Sequence, residues 1–280
     1  MDNQQVSPDN PIGLVAFDLD GTILDRGETI VPECAAAIRR AHEAGIRCVV
    51  DSGRSAEFSA ELLERLGLLD CFDAVIGDER WIQLVEAAPD RPTVRTVVGL
   101  RSWNDEVEQR WQRLEPVATQ WCERLEERAR ERGWTPELIG RQDTLRRGLA
   151  AIWFAVDEQA QELLSWLLPQ LAGSGLAANS NGGYIHVYDE QCDKGSALLR
   201  VAEHFEIPAG SVVAFGDNIN DQPMLDGRYG FGAVAVANAK PVVKEWVRAA
   251  GGRVADRPSG LGVAEMLGAL LPSPDDGALI

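Results

Sequence analysis

Residues 12 to 17, Ile-Gly-Leu-Val-Ala-Phe, form a short apolar run that stops abruptly at Asp18-Leu19-Asp20-Gly21. A run of that length, ended by acids, is the signature of a strand buried on both faces whose last residues open onto a polar site. The arrangement recurs in "IRCVVDSGR" (46 to 54) and "FDAVIGD" (72 to 78). Between these runs lie segments with helical spacing. "VPECAAAIRRAHEAG" (31 to 45) has Pro32 near its start and Gly45 as its stop, and "SAEFSAELLERLG" follows the second strand. Strand, helix, strand, helix, strand predicts a doubly wound parallel α/β sheet. Ligands of such sheets bind outside the carboxyl ends of the strands, where Asp18 to Gly21, Asp51 to Arg54 and Gly77 to Glu79 all fall.

The alternation then breaks. "WIQLVEAA" and "TVRTVVG" read as a strand pair joined by "PDRPT". A long amphipathic stretch from Ser102 to Gly133 reads as one or two helices jointed at Pro116. Strand, helix and strand patterns follow to "GGYIHVYDE" before the α/β pattern resumes at "KGSALLRVAEHFEI". Composition marks the same break: residues 80 to 186 hold 13 Arg and no Lys, and seven of the eight Trp. The expected organisation is a discontinuous α/β core, residues 12–79 and 187–271, interrupted by an α+β cap at 80–186. A disordered leader at 1–11 and a loose tail at 272–280 complete the reading.

Net charge is −17, a field that repels nucleic acid and anionic membrane surfaces. No apolar run is long enough to span a bilayer, and the first eleven residues do not resemble a signal peptide. The five cysteines are odd in number and lack metal-ligand spacing, so free thiols in a cytoplasmic protein are expected.

The acidic strand ends carry the chemistry. Asp18 and Asp20, two apart on an extended chain, face the same way. Asp217 and Asp221 close a later strand in "GDNINDQPML". Four carboxylates sharing a dry pocket repel one another unless a cation joins them. Hard oxygen ligands of this kind suit Mg²⁺.

With those residues in view, the chain resembles the haloacid dehalogenase-like phosphatases, in the Cof-like subgroup with a large α/β cap between the second and third motifs. "DLDGTI" (18 to 23) resembles motif one, "DSGR" (51 to 54) motif two, "DKGSAL" (193 to 198) motif three and "GDNINDQPML" (216 to 225) motif four. The resemblance implies a Rossmann-like core and an aspartyl-phosphate mechanism on a small-molecule phosphate ester, most commonly a sugar phosphate. It implies Asp18 as nucleophile and Asp20 as general acid and base. Ser52, Gly53, Lys194 and Asn220 would hold the phosphoryl group. Mg²⁺ would be bound by Asp18, the backbone carbonyl of Asp20 and Asp217, with Asp221 orienting metal-bound water. The chain departs from the family pattern at "GDE" (77 to 79), where many relatives have Asn-Gly, and carries Ser52 where Thr is usual.

Ordinary structural roles stand beside these. Ser52 fits a turn, Lys194 the start of a solvated helix, Asp221 a helix cap, and Asn220 a simple polar contact. Thr22 reads as a turn hydroxyl. The cap's tryptophans suit a small core better than a sugar platform, and the Arg-rich stretch 140–148 suits a solvated loop. His186 and Tyr188 lie on the strand returning to the core, on whichever face the fold gives them. A phosphomutase and a non-catalytic sugar-phosphate-binding protein are the competing functions. The expected assembly is a monomer or homodimer.

Overall fold

A computed structural model of the chain describes residues 11–25, 27–88, 91–139 and 148–271. The expected leader, the tail and most of the Arg-rich stretch 140–148 lie outside the described residues. Strands β1 (Leu14–Phe17), β2 (Arg47–Asp51) and β3 (Ala74–Gly77) alternate with helices α1 (Pro32–Glu43) and α2 (Ala56–Arg65). There follow β4 (Trp81–Ala88), β5 (Arg91–Gly99), α3 (Arg101–Glu131), β6 (Glu137–Ile139), β7 (Leu149–Trp153), α4 (Asp157–Leu167), β8 (Leu176–Asn181) and β9 (Tyr184–Asp189). The chain ends with α5 (Lys194–His204), β10 (Val212–Gly216), α6 (Gln222–Leu225), β11 (Gly232–Ala235), α7 (Pro241–Ala249), β12 (Arg253–Val254) and α8 (Ser259–Leu270).

Two sheets result. The larger runs β12-β11-β10-β1-β2-β3-β4-β5, parallel from β12 to β3. Its central strands are buried on both faces, as near-continuous apolar runs require. Val15 and Phe17 enter one hydrophobic cluster, Leu14 and Ala16 the other. Phe17 sits level with Phe215 on one side and Val50 on the other, its ring centroid 5.1 Å from that of Phe215. Burying such a side chain is worth roughly 1.5–3 kcal/mol. The same register brings the next residues of β1 and β2, Asp18 and Asp51, to one edge of the sheet, and Asp217 follows one residue after Gly216 at the end of β10.

The strand pair β4–β5, grouped with the insert on sequence grounds, continues this large sheet: β4 pairs antiparallel with β3, and β5 with β4. Alternation in a strand shows that it pairs, not which sheet it joins. The expected joint at Pro116 is also absent, because α3 runs unbroken through it. That proline removes one internal hydrogen bond. Packing on both sides of it holds the helix, since Trp111, Ala118 and Cys122 are all buried in one hydrophobic cluster.

The second sheet, β6-β7-β9-β8, is antiparallel. One face packs on α3 and α4 through Ile152, Leu163, Ile185 and Val187. The two-residue period then turns Tyr184 and His186 of β9 to the opposite face. All five cysteines are free and buried. No helix of the described residues is long and apolar enough to cross a membrane.

Candidate active site

The strand ends of the large sheet and the outer face of the small one enclose a cleft of about 220 Å³. It is lined by Asp18, Asp20, Ser52, Gly53, Arg54, Asn181, Tyr184, His186, Asn218 and Asn220. Five of the sequence-predicted site residues are thus among its walls, and Lys194, Asp217 and Asp221 stand directly behind them.

Lys194 organises the floor. Asp193 caps α5 through a reciprocal pair with Ser196, which makes Lys194 the first residue of the helix. Gly195 lets that first turn come close: a Cβ there would lie 2.3 Å from the Tyr229 ring and 2.6 Å from the Pro223 carbonyl oxygen. The Lys194 ammonium is fully buried and donates to Asp18 Oδ1 at 2.7 Å, Asp221 Oδ1 at 2.7 Å and the Asp51 carbonyl at 2.8 Å. Its three protons therefore have three acceptors. Burial alone would lower its pKa, but Asp18, Asp221, Asp51 and Glu79 outweigh that and hold it well above the ordinary lysine value. It is a cation, not the solvated lysine of a helix start.

The carboxylates around it exceed one positive charge. Ligand oxygens of Asp18, Asp217 and Asp221 lie within 4.8 Å of one another. Burial, with repulsion from Asp221 and Asp217, drives the Asp18 carboxyl well above its usual range despite Lys194. Burial and Asp221 push Asp217 up to about 7. These are hard oxygen donors with uncompensated charge, the donor set that a magnesium-like cation satisfies. Asp221 is already heavily engaged: Oδ1 accepts from Lys194, and Oδ2 accepts from the backbone N–H groups of Asp217 and Asn218 at 2.9 Å each. Asp18 and Asp217 are the better candidates for direct contact with an ion. Thr22, fully buried, donates to Asp217 Oδ1 at 3.2 Å. Gly21 permits this approach, with φ +84° and no Cβ to meet Asp217 Oδ2 at 2.5 Å.

Ser52 is buried, and its Oγ accepts from the Arg54 backbone N–H at 3.1 Å, a short turn over the cleft floor. Asp51, immediately before it, is a buried acid pushed well above its usual range by desolvation. Neither of its carboxyl oxygens has a hydrogen-bond partner among the described residues. The Asp20 side chain is half exposed at the cleft mouth and belongs to a different pair. Arg54 donates to its Oδ2 through Nε and to its Oδ1 through Nη2, both at 2.6 Å, and binds Glu28 through Nη1 at 2.5 Å.

Further polar contacts at the cleft involve residues to which the sequence assigns no role. Asn218 donates to Asn181 Oδ1 at 3.1 Å across the two sheets. Glu79 accepts from Asn220 Nδ2 on Oε1 and from Asn179 Nδ2 on Oε2, both at 3.0 Å. Burial pushes Glu79 up, but nearby His186, Arg80 and Lys194 together with the Asn179 bond bring it below the ordinary value. Of the two residues left open on the returning strand, His186 lines the cleft. Tyr188 instead lies buried under the Arg80 guanidinium, 4.5 Å from its ring centroid. No Trp of the described residues lines the cleft.

Comparison with known proteins agrees with this geometry. A family model described as haloacid dehalogenase-like hydrolase matches residues 15–77 and 136–267. The chain is 29% identical over 243 residues to a 5-amino-6-(5-phospho-D-ribitylamino)uracil phosphatase of Bacillus subtilis, covering 85% of this chain and 88% of that one. It is 26% identical over 260 residues to a phosphoglycolate phosphatase of Pyrobaculum aerophilum, covering 92% and 95%. In fold it is similar to a haloacid dehalogenase-like hydrolase from B. subtilis, with TM-score 0.64, 18% identity and coverage of 92% and 100%. It is likewise similar to the sucrose-phosphatase of Synechocystis, with TM-score 0.63, 18% identity and coverage of 93% and 98%. With Asp18, Ser52, Lys194 and Asp217 gathered at one cleft and a family model matched over residues 15–77 and 136–267, the chain belongs to the haloacid dehalogenase-like hydrolases.

Proposed function

We propose that the chain is a Mg²⁺-dependent phosphomonoesterase that forms an aspartyl phosphate on Asp18 and acts on a small polyhydroxylated metabolite of the sugar-phosphate class. The observation that carries this is the Asp18 carboxylate at the tip of β1, anchored by Lys194 and flanked by Asp217, with Asp20 at the mouth of the same cleft.

An oxygen of Asp18 attacks phosphorus, the bond from phosphorus to the ester oxygen breaks, and Asp20 gives its proton to the departing alkoxide. Water then attacks the acyl phosphate, Asp20 takes back a proton, and the Asp18 carboxylate and inorganic phosphate are released. Lys194 offsets the charge of the transferring group, and the turn Ser52–Arg54 offers a hydroxyl and backbone donors to its oxygens. Asp18 and Asp217, with Asp221 behind them, would hold Mg²⁺, which when bound would supply the charge neutralisation that lets two anions meet.

The leaving-group side is rich in hydrogen-bonding groups: Asn181, Asn218, Tyr184 and His186. Among the described lining residues the one guanidinium, Arg54, is engaged by Asp20 and Glu28. Among the described lining residues no ammonium or guanidinium is left over for a second phosphate, which favours a hydroxylated leaving group over a bisphosphate. The ribityl phosphate and sucrose named for two similar proteins are of that chemistry.

The test is phosphate release from a panel of sugar, polyol, nucleotide and carboxylic-acid phosphates, with Mg²⁺ and with EDTA, beside Asp18→Asn. Turnover that needs metal, disappears in the variant and peaks on a sugar or polyol phosphate is expected. A best substrate with a second phosphate would sink the specificity reading. Metal-independent turnover, or an active Asp18→Asn, would sink the mechanism.

A further inference from the structure

The turn between β3 and β4 places Asp78 at φ +50° and Glu79 at φ +65°. Two consecutive left-handed residues make the tight hairpin geometry for which Asn-Gly is the preferred pair. A long charged side chain at the glycine-preferring position is locally unfavourable, and strain of this kind is tolerated where the side chain has work elsewhere. Here the Glu79 side chain turns inward, is 2% exposed, and reaches the wall of the cleft. A Cβ built on Gly53 would lie 3.4 Å from Glu79 Oε1 and 3.8 Å from Asn220 Nδ2. The carboxylate therefore stands beside the turn proposed to hold the phosphoryl group.

A carboxylate only accepts hydrogen bonds, whereas an asparagine amide can turn either its oxygen or its NH₂ group toward a neighbour. Against Glu79, both Asn220 and Asn179 must present NH₂. Their other ends do not compete, because Oδ1 of each has no hydrogen-bond partner among the described residues. The orientation of both amides is thus set from one side, by one carboxylate. Asn220 uses one N–H on Glu79 and keeps its second N–H for the cleft. Reversed, it would turn a carbonyl oxygen toward the phosphoryl oxygens. Asn179 belongs to the second sheet, so the same carboxylate also joins the two halves of the protein at the cleft.

We propose that Glu79 is a positioning residue that sets the Asn220 amide as a donor to the substrate's phosphoryl group and ties that setting to the docking of the second sheet. The inference rests on the phosphate-ester reading and deepens it.

The experiment compares full-length wild type with Glu79→Gly, Glu79→Gln, Asn220→Ala and the double variant Glu79→Gly/Asn220→Ala. It reads kcat, KM, competitive inhibition by inorganic phosphate, and melting temperature. Glycine relieves the left-handed turn but leaves Asn179, Asn220 and the buried Arg80 guanidinium without their shared carboxylate, so Glu79→Gly is expected to fold and to melt below wild type. Its KM and its inhibition constant for phosphate should each rise ~10-fold, with kcat changed less, the size of one misdirected hydrogen bond to a charged group. In the Asn220→Ala background the same change should have almost no effect, because coupled residues are not additive. Glu79→Gln can accept from one amide only and should fall between the two.

Wild-type KM and phosphate inhibition in Glu79→Gly overturn the proposal. So does an equal loss with and without Asn220, which marks a purely structural role. Tighter phosphate binding in both Glu79 variants overturns it too, because charge repulsion would then outweigh orientation. If Glu79→Gly fails to fold, Glu79→Gln with wild-type KM and phosphate inhibition is the overturning result. A wild type that releases no phosphate sinks the phosphatase reading itself, whereas an active wild type with indifferent Glu79 variants sinks only this inference.

Discussion

Arg54 grips both carboxylate oxygens of Asp20, at 2.6 Å each, and lies with its guanidinium 4.9 Å from the centre of the Phe58 ring. The pair crosses from the turn after β2 to the turn after β1 and aims the acid that the proposed mechanism uses twice. A bidentate guanidinium fixes a carboxylate in angle as well as in distance.

Arg54→Ala should therefore cost about 10-fold or more in kcat on alkyl phosphates, within the range that positioned proton transfer contributes. An aryl phosphate such as p-nitrophenyl phosphate leaves without much help from an acid, so its loss should be smaller. Comparing the two substrates in wild type and variant checks this. Equal losses on both would show that Arg54 serves phosphate binding and not Asp20.

Lys194→Met tests the buried floor. The substitution is close in size but leaves Asp18 and Asp221 without their shared cation. Removing one partner of a buried ion pair typically costs about 3–5 kcal/mol. For a chain of this size that is a drop of roughly 10 °C in melting temperature. Mg²⁺ should restore part of the loss, measured by thermal melts with metal and with EDTA. A variant that melts like wild type in EDTA would contradict the burial described here.

The acidic cluster predicts how stability varies with pH. Asp217 is raised to about 7 in the folded protein, whereas its unfolded value is near 4. Between these values the folded state binds more protons, so stability falls as pH rises from about 4 to about 7 and then levels off. Asp18 and Asp51, raised for the same first cause of burial, act in the same direction. Carboxylates that have lost their protons are what a metal binds, so Mg²⁺ should stabilise more at pH 8 than at pH 5. Melting temperatures at both pH values, with and without Mg²⁺, measure this. A larger metal effect at pH 5 would refute the assignment.

Much of this site could be read from the chain because its parts sit at strand ends. An apolar run that stops at Asp18, or at Asp51 and Ser52, announces both the strand and its functional end. Lys194 was legible from its place in "DKGSAL", where Asp193 also caps the helix it opens. Asn179 and Asn181 were not legible, since an asparagine on a strand has no spacing signature and its partner depends on how two sheets dock, and Asn218 lay within "GDNINDQPML" without a role for the same reason. Arg54 was quoted within a motif without a role, because its pairing with Asp20 follows from two turns meeting. Glu79 did leave a trace: a Gly-Asp-Glu turn where glycine is the easier choice. The hairpin β4–β5 was expected as a pair, but edge selection is a tertiary matter and periodicity carries no record of it.

The register of β1 has a consequence for how the protein matures on the ribosome. Leu14 pairs with Arg47 on one side and with Val212 on the other. The strand that ends in Asp18 therefore waits with one edge unsatisfied while the whole of the second sheet is synthesised. At translation rates of about 5–20 residues per second, the interval from β1 to β10 is roughly ten to forty seconds. During it the second sheet, whose strands lie close together in sequence, can form from local contacts. The exposed edge of β1 is meanwhile a template for pairing with other chains. Asp217 and Asp221 arrive only with the strand that closes that edge, so the nascent chain covers the open side of β1 and acquires its chemistry in one event.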